Sequence, residues 1–372
     1  MAQQITPRKR VELALQKKFM DKVPFTSFNT FWLAPSVANP VMPQQKWVPQ
    51  CTVERELRNR GLCLLDIANF LGYGAVRPNV KVVSSVYEQN SRIFIRTDYE
   101  TPAGKLYEIK EIGKLTIWWH KKLFSSPDDF KILLFLIQDT QIFPDYKAAE
   151  KAMMDYGEDW LLRCDLGFEP LQDLISGEYM STENFCIQWM DNRDELLKLY
   201  NALIDIRRKV YKIVAESPLY FVTYGGNVHP KIISPENFKK YYIPHYEEAY
   251  EVLHKKGKVL GVHFDADTAA YKDIISESSI DVIEAFTPAP DTDMTMKEAR
   301  QAWPDKIIWV NFPSSQHLAS KEKIEQITEQ IIDDGGPELL LIGITDDVPE
   351  FRWRESYTAI MDAIDRKFNI IY

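Results

Sequence analysis

The stretch that decides the fold is Val259-Leu-Gly-Val-His-Phe-Asp-Ala-Asp-Thr268. Its apolar first half predicts a buried strand, and three polar residues follow at alternate positions: His263, Asp265 and Asp267. Because side chains alternate along an extended chain, all three are expected on one side, where the strand ends. Such a group can hold a metal ion, or pair an acid with an orienting base. In the simpler alternative, His263 is a core histidine and the aspartates cap the next helix.

Similar apolar runs recur along the whole chain, and helical patterns separate them. The eight runs are Val23–Asn29, Cys63–Ala68, Trp160–Gly167, Tyr220–Gly226, Val259–Ala266, Asp281–Pro288, Ile307–Pro313 and Leu339–Thr345. Apolar strands that alternate with helices form a parallel sheet covered by helices. Eight such units close most naturally into a (β/α)8 TIM barrel, so the predicted fold class is α/β.

Several helices have clear starting signals. Thr6 followed by Pro7 predicts the N-cap and first position of an N-terminal helical segment, and Ser234 followed by Pro235 predicts the same for a later helix. The range Ser320–Ile332 carries isoleucines at helical spacing.

One block departs from the strand–helix alternation. The runs Val80–Val86, Arg92–Tyr99 and Leu106–Ile109, with a turn at Pro102–Gly104, predict antiparallel hairpins. We expect the block from Val80 to His120 to be a β-hairpin extension on the barrel. The whole chain, residues 1–372, is then one barrel domain.

Composition excludes several classes of protein. The net charge of −9 over 372 residues argues against nucleic-acid binding, which needs a basic face. No run approaches the roughly 20 apolar residues of a membrane helix, and Met1–Arg10 lacks the apolar core of a secretory signal. The cysteines are scattered without a CxxC pair, which favours a reducing compartment: Cys51, Cys63, Cys164 and Cys186. We therefore expect a cytoplasmic protein with no membrane partner.

In a barrel, the chemistry lies at the carboxyl ends of the strands. The predicted catalytic residues are His263, Asp265 and Glu284, and the same three are the candidate metal ligands. Glu284 is included because it lies inside a run that should be buried, where a carboxylate needs a partner. The predicted substrate-binding residues are Asn29, Trp32, Tyr224, Asn227, Phe286 and Asn311.

The sequence resembles the uroporphyrinogen decarboxylase superfamily over most of its length. The resemblance rests on Thr6-Pro-Arg8 with Val23-Pro24, on Ser234–Phe238 with Tyr242–Tyr246, on His263-x-Asp265, and on the run Asp281–Asp293. It implies a (β/α)8 barrel, in agreement with the strand count. It also implies one of two activities, tetrapyrrole decarboxylation or corrinoid-dependent methyl transfer.

Two departures from the family pattern narrow this choice. Decarboxylases of the family carry an arginine-rich segment after the first strand, but Asn29–Pro35 has no arginine, so substrates with many acid groups lack a bidentate partner. Methyltransferases that act on thiols have a cysteine where this chain has Asp265, and another after the last strand, where Gly343–Asp347 has none. The resemblance therefore argues against a thiol as the methyl acceptor. It favours relatives that take a methyl group from a methylated small molecule, such as an aryl methyl ether.

The expected reaction is transfer of a methyl group from a methylated small molecule to cob(I)alamin. The resemblance implies that a separate corrinoid carrier protein delivers this cobalamin, and it leaves zinc and a homodimer open. Two alternatives stand beside it. One is a lyase or decarboxylase acting on a small organic acid, with Arg163 or His229 as the anion partner. The other is a corrinoid-binding protein without catalytic activity.

Overall fold

The computed structural model describes residues 5–19, 21–28, 52–65, 72–113, 117–346, 348–349 and 351–370. The strands within these ranges are β1 (Phe25–Phe28), β2 (Leu62–Leu65), β3 (Gly72–Val76), β4 (Lys81–Gln89), β5 (Arg92–Thr101), β6 (Gly104–Ile112), β7 (Ile117–Lys121), β8 (Gln141–Asp145), β9 (Trp160–Leu161), β10 (Arg163–Asp165), β11 (Phe221–Tyr224), β12 (Val259–His263), β13 (Val282–Phe286), β14 (Ile307–Asn311) and β15 (Leu340–Ile344).

The helices in the same ranges cover the sheet and link its strands. They are α1 (Pro7–Leu15), α2 (Thr52–Asn59), α3 (Phe130–Gln138), α4 (Tyr146–Asp155), α5 (Pro170–Ser176), α6 (Thr182–Asp191), α7 (Arg193–Ala215), α8 (Pro235–Tyr241), α9 (Ile243–His254), α10 (Lys272–Glu277), α11 (Met296–Ala302), α12 (Lys321–Gly335) and α13 (Trp353–Lys367). The predicted N-caps Thr6 and Ser234 are confirmed, since each side chain accepts a backbone N–H from the first turn of its helix. The Ser320 side chain does the same for α12.

The main sheet is parallel and closes on itself. Its order is β10-β11-β12-β13-β14-β15-β1-β2-β9. β9 and β10 are two halves of one predicted strand, interrupted at Leu162. The first half pairs with β2 and the second with β11. Every one of the eight predicted strand runs contains an observed strand, so the predicted TIM-barrel fold is confirmed.

The apolar core has an inner and an outer part. Inward side chains of the barrel strands, such as Phe221, Trp309 and Leu341, form one buried cluster with Val11 and Leu15 of α1. Helix α1 therefore closes the end of the barrel where the strands begin. The larger cluster lies between the strands and the surrounding helices. A site inside the barrel can be open only at the carboxyl ends of the strands.

The predicted hairpin extension is a separate antiparallel sheet. Strands β4, β5, β6 and β7 follow one another in this order, and the turn between β5 and β6 is at Pro102–Ala103. A second small sheet, in which β3 and β8 pair antiparallel, was not predicted from the sequence. The base of the extension packs on α3, where Tyr99 and Leu106 are buried with Ile132.

Candidate active site

His263 lies at the last position of β12, and its register partner on β13 is Glu284. Residues in register on neighbouring parallel strands have side chains on the same face. The His263 Nδ1 atom is 2.6 Å from Glu284 Oε2. Two residues beyond the strand, Asp265 Oδ2 lies 3.2 Å from the other ring nitrogen, Nε2. The structure thus brings together the three residues predicted as catalytic, with the imidazole between two carboxylates.

Arg163 of β10 extends this chain of charges by one member. Its Nη1 atom is 3.4 Å from Glu284 Oε1, and both side chains are almost fully buried, 9% and 2% exposed. Positive and negative groups therefore alternate from Asp265 through His263 and Glu284 to Arg163. Buried carboxylates are tolerated where cations pair with them, which explains how Glu284 lies inside a barrel.

The electrostatic environment keeps His263 protonated. Burial alone lowers the pKa of His263, but the charges of Glu284 and Asp265 and their hydrogen bonds outweigh it, so its pKa lies well above the ordinary value. Burial raises the pKa of Glu284, yet His263 and Arg163 together bring it below its usual value. At neutral pH the pair is therefore an imidazolium and a carboxylate.

Asp165 forms a second acidic position beside this chain. Its Oδ1 atom accepts the Gly167 backbone N–H at 2.6 Å, and its Oδ2 atom accepts the Thr223 hydroxyl at 3.1 Å. Burial raises the pKa of Asp165, and the nearby charge of Arg163 opposes that effect. Asp165 is thus held in a fixed orientation at the carboxyl end of β10.

Four of these residues, Arg163, Asp165, His263 and Glu284, line one cavity of about 880 Å³ at the carboxyl ends of the strands. Its walls include the aromatic rings of Phe168, Tyr179 and Trp119, and Lys110 lies beside Trp119. Trp119 and Lys110 belong to the hairpin extension, which therefore forms part of the wall. The volume is in the range of small-molecule sites.

Two glycines after β11 let the wall come close to neighbouring groups. Gly225 has φ +91°, a left-handed conformation that favours glycine, and a Cβ there would lie 2.2 Å from Glu169 Oε1. A Cβ on Gly226 would lie 2.4 Å from the ring of Phe168. Both glycines line the cavity. Larger residues at these positions would displace Glu169 and Phe168.

Glu169 is completely buried directly behind Gly225. The Tyr246 hydroxyl donates to Glu169 Oε1, whereas Oε2 is buried without a hydrogen-bond partner among the described residues. Burial raises the pKa of Glu169 to about 7. Only the backbone of Gly225 separates this carboxyl group from the cavity.

Two residues predicted to bind substrate lie outside the barrel. The Tyr224 hydroxyl bonds to that of Tyr211, and its ring packs on Tyr246, so the side chain points toward the helices. Phe286 packs edge-on against Trp303 after α11, with ring centroids 5.6 Å apart. Strand alternation explains the position of Tyr224, because its neighbour Thr223 takes the inward face. Phe286 is two residues after the inward-facing Glu284, and an irregularity at Ala285, which has φ +57°, turns it outward.

The remaining predicted substrate-binding residues have different placements. Asn227 is exposed and lines the cavity. Asn311 is fully buried. Its amide nitrogen donates to Thr287 Oγ1 and Asp346 Oδ2, and its oxygen accepts the Thr345 N–H, so it ties three strand ends together. Asn29 and Trp32 lie outside the described residues.

The contacts of the three predicted metal ligands do not suit a zinc ion. Both ring nitrogens of His263 face carboxylates, and Glu284 also faces Arg163. A zinc ligand must offer a free lone pair, which a doubly hydrogen-bonded imidazolium does not. Asp267, the third residue of the alternation, lies instead 3.3 Å from His229. Within the described ranges, no group of three His, Cys, Asp or Glu residues is arranged to hold a metal ion.

Some cavity residues were not predicted. Lys110 and Trp119 come from the extension. On β11, Tyr224 was predicted from the sequence to bind substrate, and its neighbour Thr223 was not. Strand alternation could have identified Thr223, because it is two residues after the inward-facing Phe221. No local signal marks Lys110 or Trp119, since only the packing of the extension brings them to the barrel.

Comparison with known proteins agrees with this architecture. Residues 172–344 match the family model of uroporphyrinogen decarboxylase (URO-D), and these residues include β11 to β15 with His263 and Glu284. Over these residues the chain is similar to the uroporphyrinogen decarboxylase family. No curated protein matches the chain significantly.

Solved structures are similar to this chain at low sequence identity. A methyltransferase from Methanosarcina mazei is 14% identical, with 98% of this chain and 100% of that chain covered and a TM-score of 0.59. A B12-independent methionine synthase from Shewanella sp. W3-18-1 is 10% identical over 94% of this chain and 100% of that chain, with a TM-score of 0.47. The first similarity supports the barrel fold of this chain. Among the described helices, none is both long and apolar enough to span a membrane.

Proposed function

We propose that this protein is a corrinoid-dependent methyltransferase of the O-demethylase type. It takes a methyl group from a methylated small molecule, in the first instance an aryl methyl ether, and passes it to cob(I)alamin on a separate carrier protein. The observation that carries the proposal is the protonated His263, held between Asp265 and Glu284 in a cavity with aromatic walls. The solved methyltransferase with the same fold is compatible with this activity.

The difficult part of such a reaction is the leaving group. The reduced corrinoid would supply the nucleophile that takes the methyl group. The substrate oxygen would then have to leave the methyl carbon as an alkoxide or a phenolate. A protein acid that gives a proton to the departing oxygen removes this obstacle. His263 is suited to that task because its pKa is raised above its ordinary value, so it carries the proton at neutral pH.

The neighbours of His263 have separate roles in this mechanism. Glu284 accepts from Nδ1 at 2.6 Å and fixes the orientation of the ring. Asp265 lies at the longer distance of 3.2 Å from Nε2, and we assign to that nitrogen the proton that reaches the substrate oxygen. Arg163 keeps Glu284 ionised. After transfer, solvent returns a proton to Nε2.

The cavity walls fit an arene better than a strongly charged substrate. Phe168 and Trp119 offer flat apolar surfaces, which bind aromatic rings by stacking. The cations that line the cavity already have carboxylate partners: Arg163 with Glu284, Arg207 with Asp173 and Lys110 with Glu108. A polyacidic tetrapyrrole would have to break these pairs. The carrier protein would approach at the open carboxyl end of the barrel.

The test is a spectral assay with purified protein, a reduced corrinoid carrier and methoxyarenes. We expect the spectrum of the reduced corrinoid to give way to that of the methylated form only when all three are present. Asp265→Asn and His263→Ala should slow the change about 10²–10⁴-fold, the usual loss for a positioned acid. His254→Ala, at the exposed end of α9, is the matched control and should be unaffected.

The leaving group gives a sharper test of the role of His263. With a methyl ether of an acidic phenol, such as a nitrophenol, the departing oxygen needs less protonation. The defect of His263→Ala should then be much smaller than with a simple methoxybenzene. The proposal is refuted if wild-type protein transfers no methyl group from methoxyarenes, methylamines or methanol to any of several reduced carriers.

A second candidate function rests on Arg163. Its guanidinium lines the cavity close to His263, as a lyase or decarboxylase of a small organic acid would require for its carboxylate. Release of carbon dioxide from small acids, with loss of activity in Arg163→Met, would favour this alternative. Binding of corrinoid carrier without either reaction would instead indicate a non-catalytic binding protein.

A further inference from the structure

The two edges of the extension sheet differ in how they are protected. β7 is five residues long, has a register shift against β6 at Ile109/Lys110, and ends in His120 and Lys121. Short edge strands, irregular register and charges are the usual means of preventing an edge from pairing with another chain. This edge is therefore protected.

The opposite edge, β4, has none of these features along its length. It pairs with β5 over nine residues without a register shift, and its charges are confined to Lys81 and Glu88 near its ends. All nine residues are exposed, among them Val82, Val83 and Val86 at 50%, 47% and 54%. Within the described residues, β5 is its only strand neighbour. Such an edge is a template for a further strand.

The hairpin turn determines which backbone groups of β4 point outward. Gln89 and Arg92 flank a two-residue turn, in which Asn90 and Ser91 have φ of 52° and 59°. In such a turn the two flanking residues are hydrogen-bonded to each other through their backbones. Hydrogen-bonded pairs and open pairs, which share no backbone hydrogen bond, then alternate along the two strands. Residues of the open pairs point their backbone groups away from β5. The outward N–H and C=O groups therefore belong to Val82, Ser84, Val86 and Glu88.

These four positions are symmetric about Ser85. A twofold axis at Ser85 pairs Val82 with Glu88 and Ser84 with Val86 of a second copy, so every outward group finds a partner. The opposite face then places Val83 against Tyr87, a β-branched and aromatic pair that favours strand association. No two like charges come to lie opposite each other. Shifting the register by two residues in either direction leaves one of the four positions unpaired.

We infer that β4 pairs antiparallel with β4 of a second copy of this chain, which makes one continuous eight-stranded sheet from the two extensions. This inference concerns assembly and does not depend on the proposed reaction. The partner is a second copy because the strand is complementary to itself both in its unpaired groups and in its side chains. In such a dimer, the extensions that carry Lys110 and Trp119 to the two cavities support each other.

Sedimentation of purified protein should give twice the 43.3 kDa mass of the chain. Ser84→Pro removes an outward N–H and no backbone hydrogen bond to β5, so it should give a monomer; it also removes the 3.1 Å hydrogen bond between the hydroxyls of Ser84 and Thr97. Ser84→Ala also loses the hydroxyl but keeps that N–H, so it is the matched control and should remain a dimer. A monomeric wild type overturns the inference, as does a Ser84→Pro protein that is folded and still dimeric.

A cross-linking experiment tests the register and does not require Ser84→Pro to fold. Across the twofold axis, Ser85 faces its own copy in an open pair with Cα atoms about 4.5 Å apart, within disulfide range. In a Cys51→Ser, Cys186→Ser background, Ser85→Cys should therefore form a disulfide-linked dimer on mild oxidation. Val83→Cys is the control, because its two copies lie about 14 Å apart. Equal cross-linking of both variants, or of neither, overturns the inference.

Discussion

Replacing Glu169 with glutamine should change how stability depends on pH. The carboxyl is fully buried, and burial raises its pKa from 4.5 to about 7. The folded protein therefore binds the proton more tightly than the unfolded chain does. Since the folded pKa of an acid is raised here, stability is lost as pH rises between these two values, and the loss is complete above the folded pKa. With about 1.4 kcal/mol per pKa unit, this loss amounts to about 3 kcal/mol.

The glutamine variant has no group to ionise at this position. Its carbonyl oxygen can still accept the Tyr246 hydroxyl, while its amide N–H₂ takes the place of an oxygen that has no partner. That substitution has a pH-independent cost of about 1–3 kcal/mol for an unsatisfied buried donor. The variant should therefore be less stable than wild type at acidic pH, and should recover relative to wild type by about 3 kcal/mol at pH above 7.

The assay is urea unfolding followed by tryptophan fluorescence at about pH 5 and about pH 8. Most of the expected loss of stability from Glu169 falls between these two pH values. Glu150→Gln, at an exposed position of α4, is the control and should follow the wild-type pH dependence. If Glu169→Gln shows the same change of unfolding free energy between the two pH values as wild type, then the pKa of Glu169 is not raised in the folded protein. The account of its burial behind Gly225 would then be wrong.

Three further predictions follow from the charged groups. Glu284→Gln should destabilise the fold by about 3–5 kcal/mol, because it leaves buried cations without their carboxylate; thermal melting checks this, and an unchanged melting curve contradicts it. Asp365→Asn should cost a similar amount, about 3–5 kcal/mol, because Asp365 pairs with the buried Lys22 at 2.5 Å; Lys151→Met, an exposed control, should cost less than about 1 kcal/mol by the same measurement. Zinc content in elemental analysis should be the same for His263→Ala and wild type, because both ring nitrogens face carboxylates; a zinc loss specific to the variant would restore the metal hypothesis.

Much of the barrel could be predicted from local sequence. An apolar run with helical patterns on both sides forms a buried parallel strand, and each of the eight predicted runs contains one. The N-caps Thr6 and Ser234 could be predicted because a side-chain oxygen followed by proline satisfies the first turn of a helix without distant contacts. The antiparallel extension was predictable for the same reason, since its turns are local.

The choice of inward side chains could be predicted only in part. His263 and Glu284 were identified because a polar residue in an apolar run must face a partner. Tyr224 and Phe286 were assigned to the cavity, but alternation turns Tyr224 toward the helices, and the irregularity of β13 at Ala285 turns Phe286 there. The sequence specifies that neighbouring residues point in opposite directions, but only closure of the sheet determines which direction is inside.

The sequence by itself determined the number of strands, the helix starts and the residue types available for chemistry, because these depend on interactions within a few residues. Only the tertiary structure decided the partners of those residues. Arg163 pairs with Glu284, 121 positions away, although Asp165 and Glu169 are much closer in sequence. Lys110 and Trp119 reach the cavity from a sheet outside the barrel. Contacts between distant segments depend on how the elements pack together, and no local pattern in the sequence indicates which segments will meet.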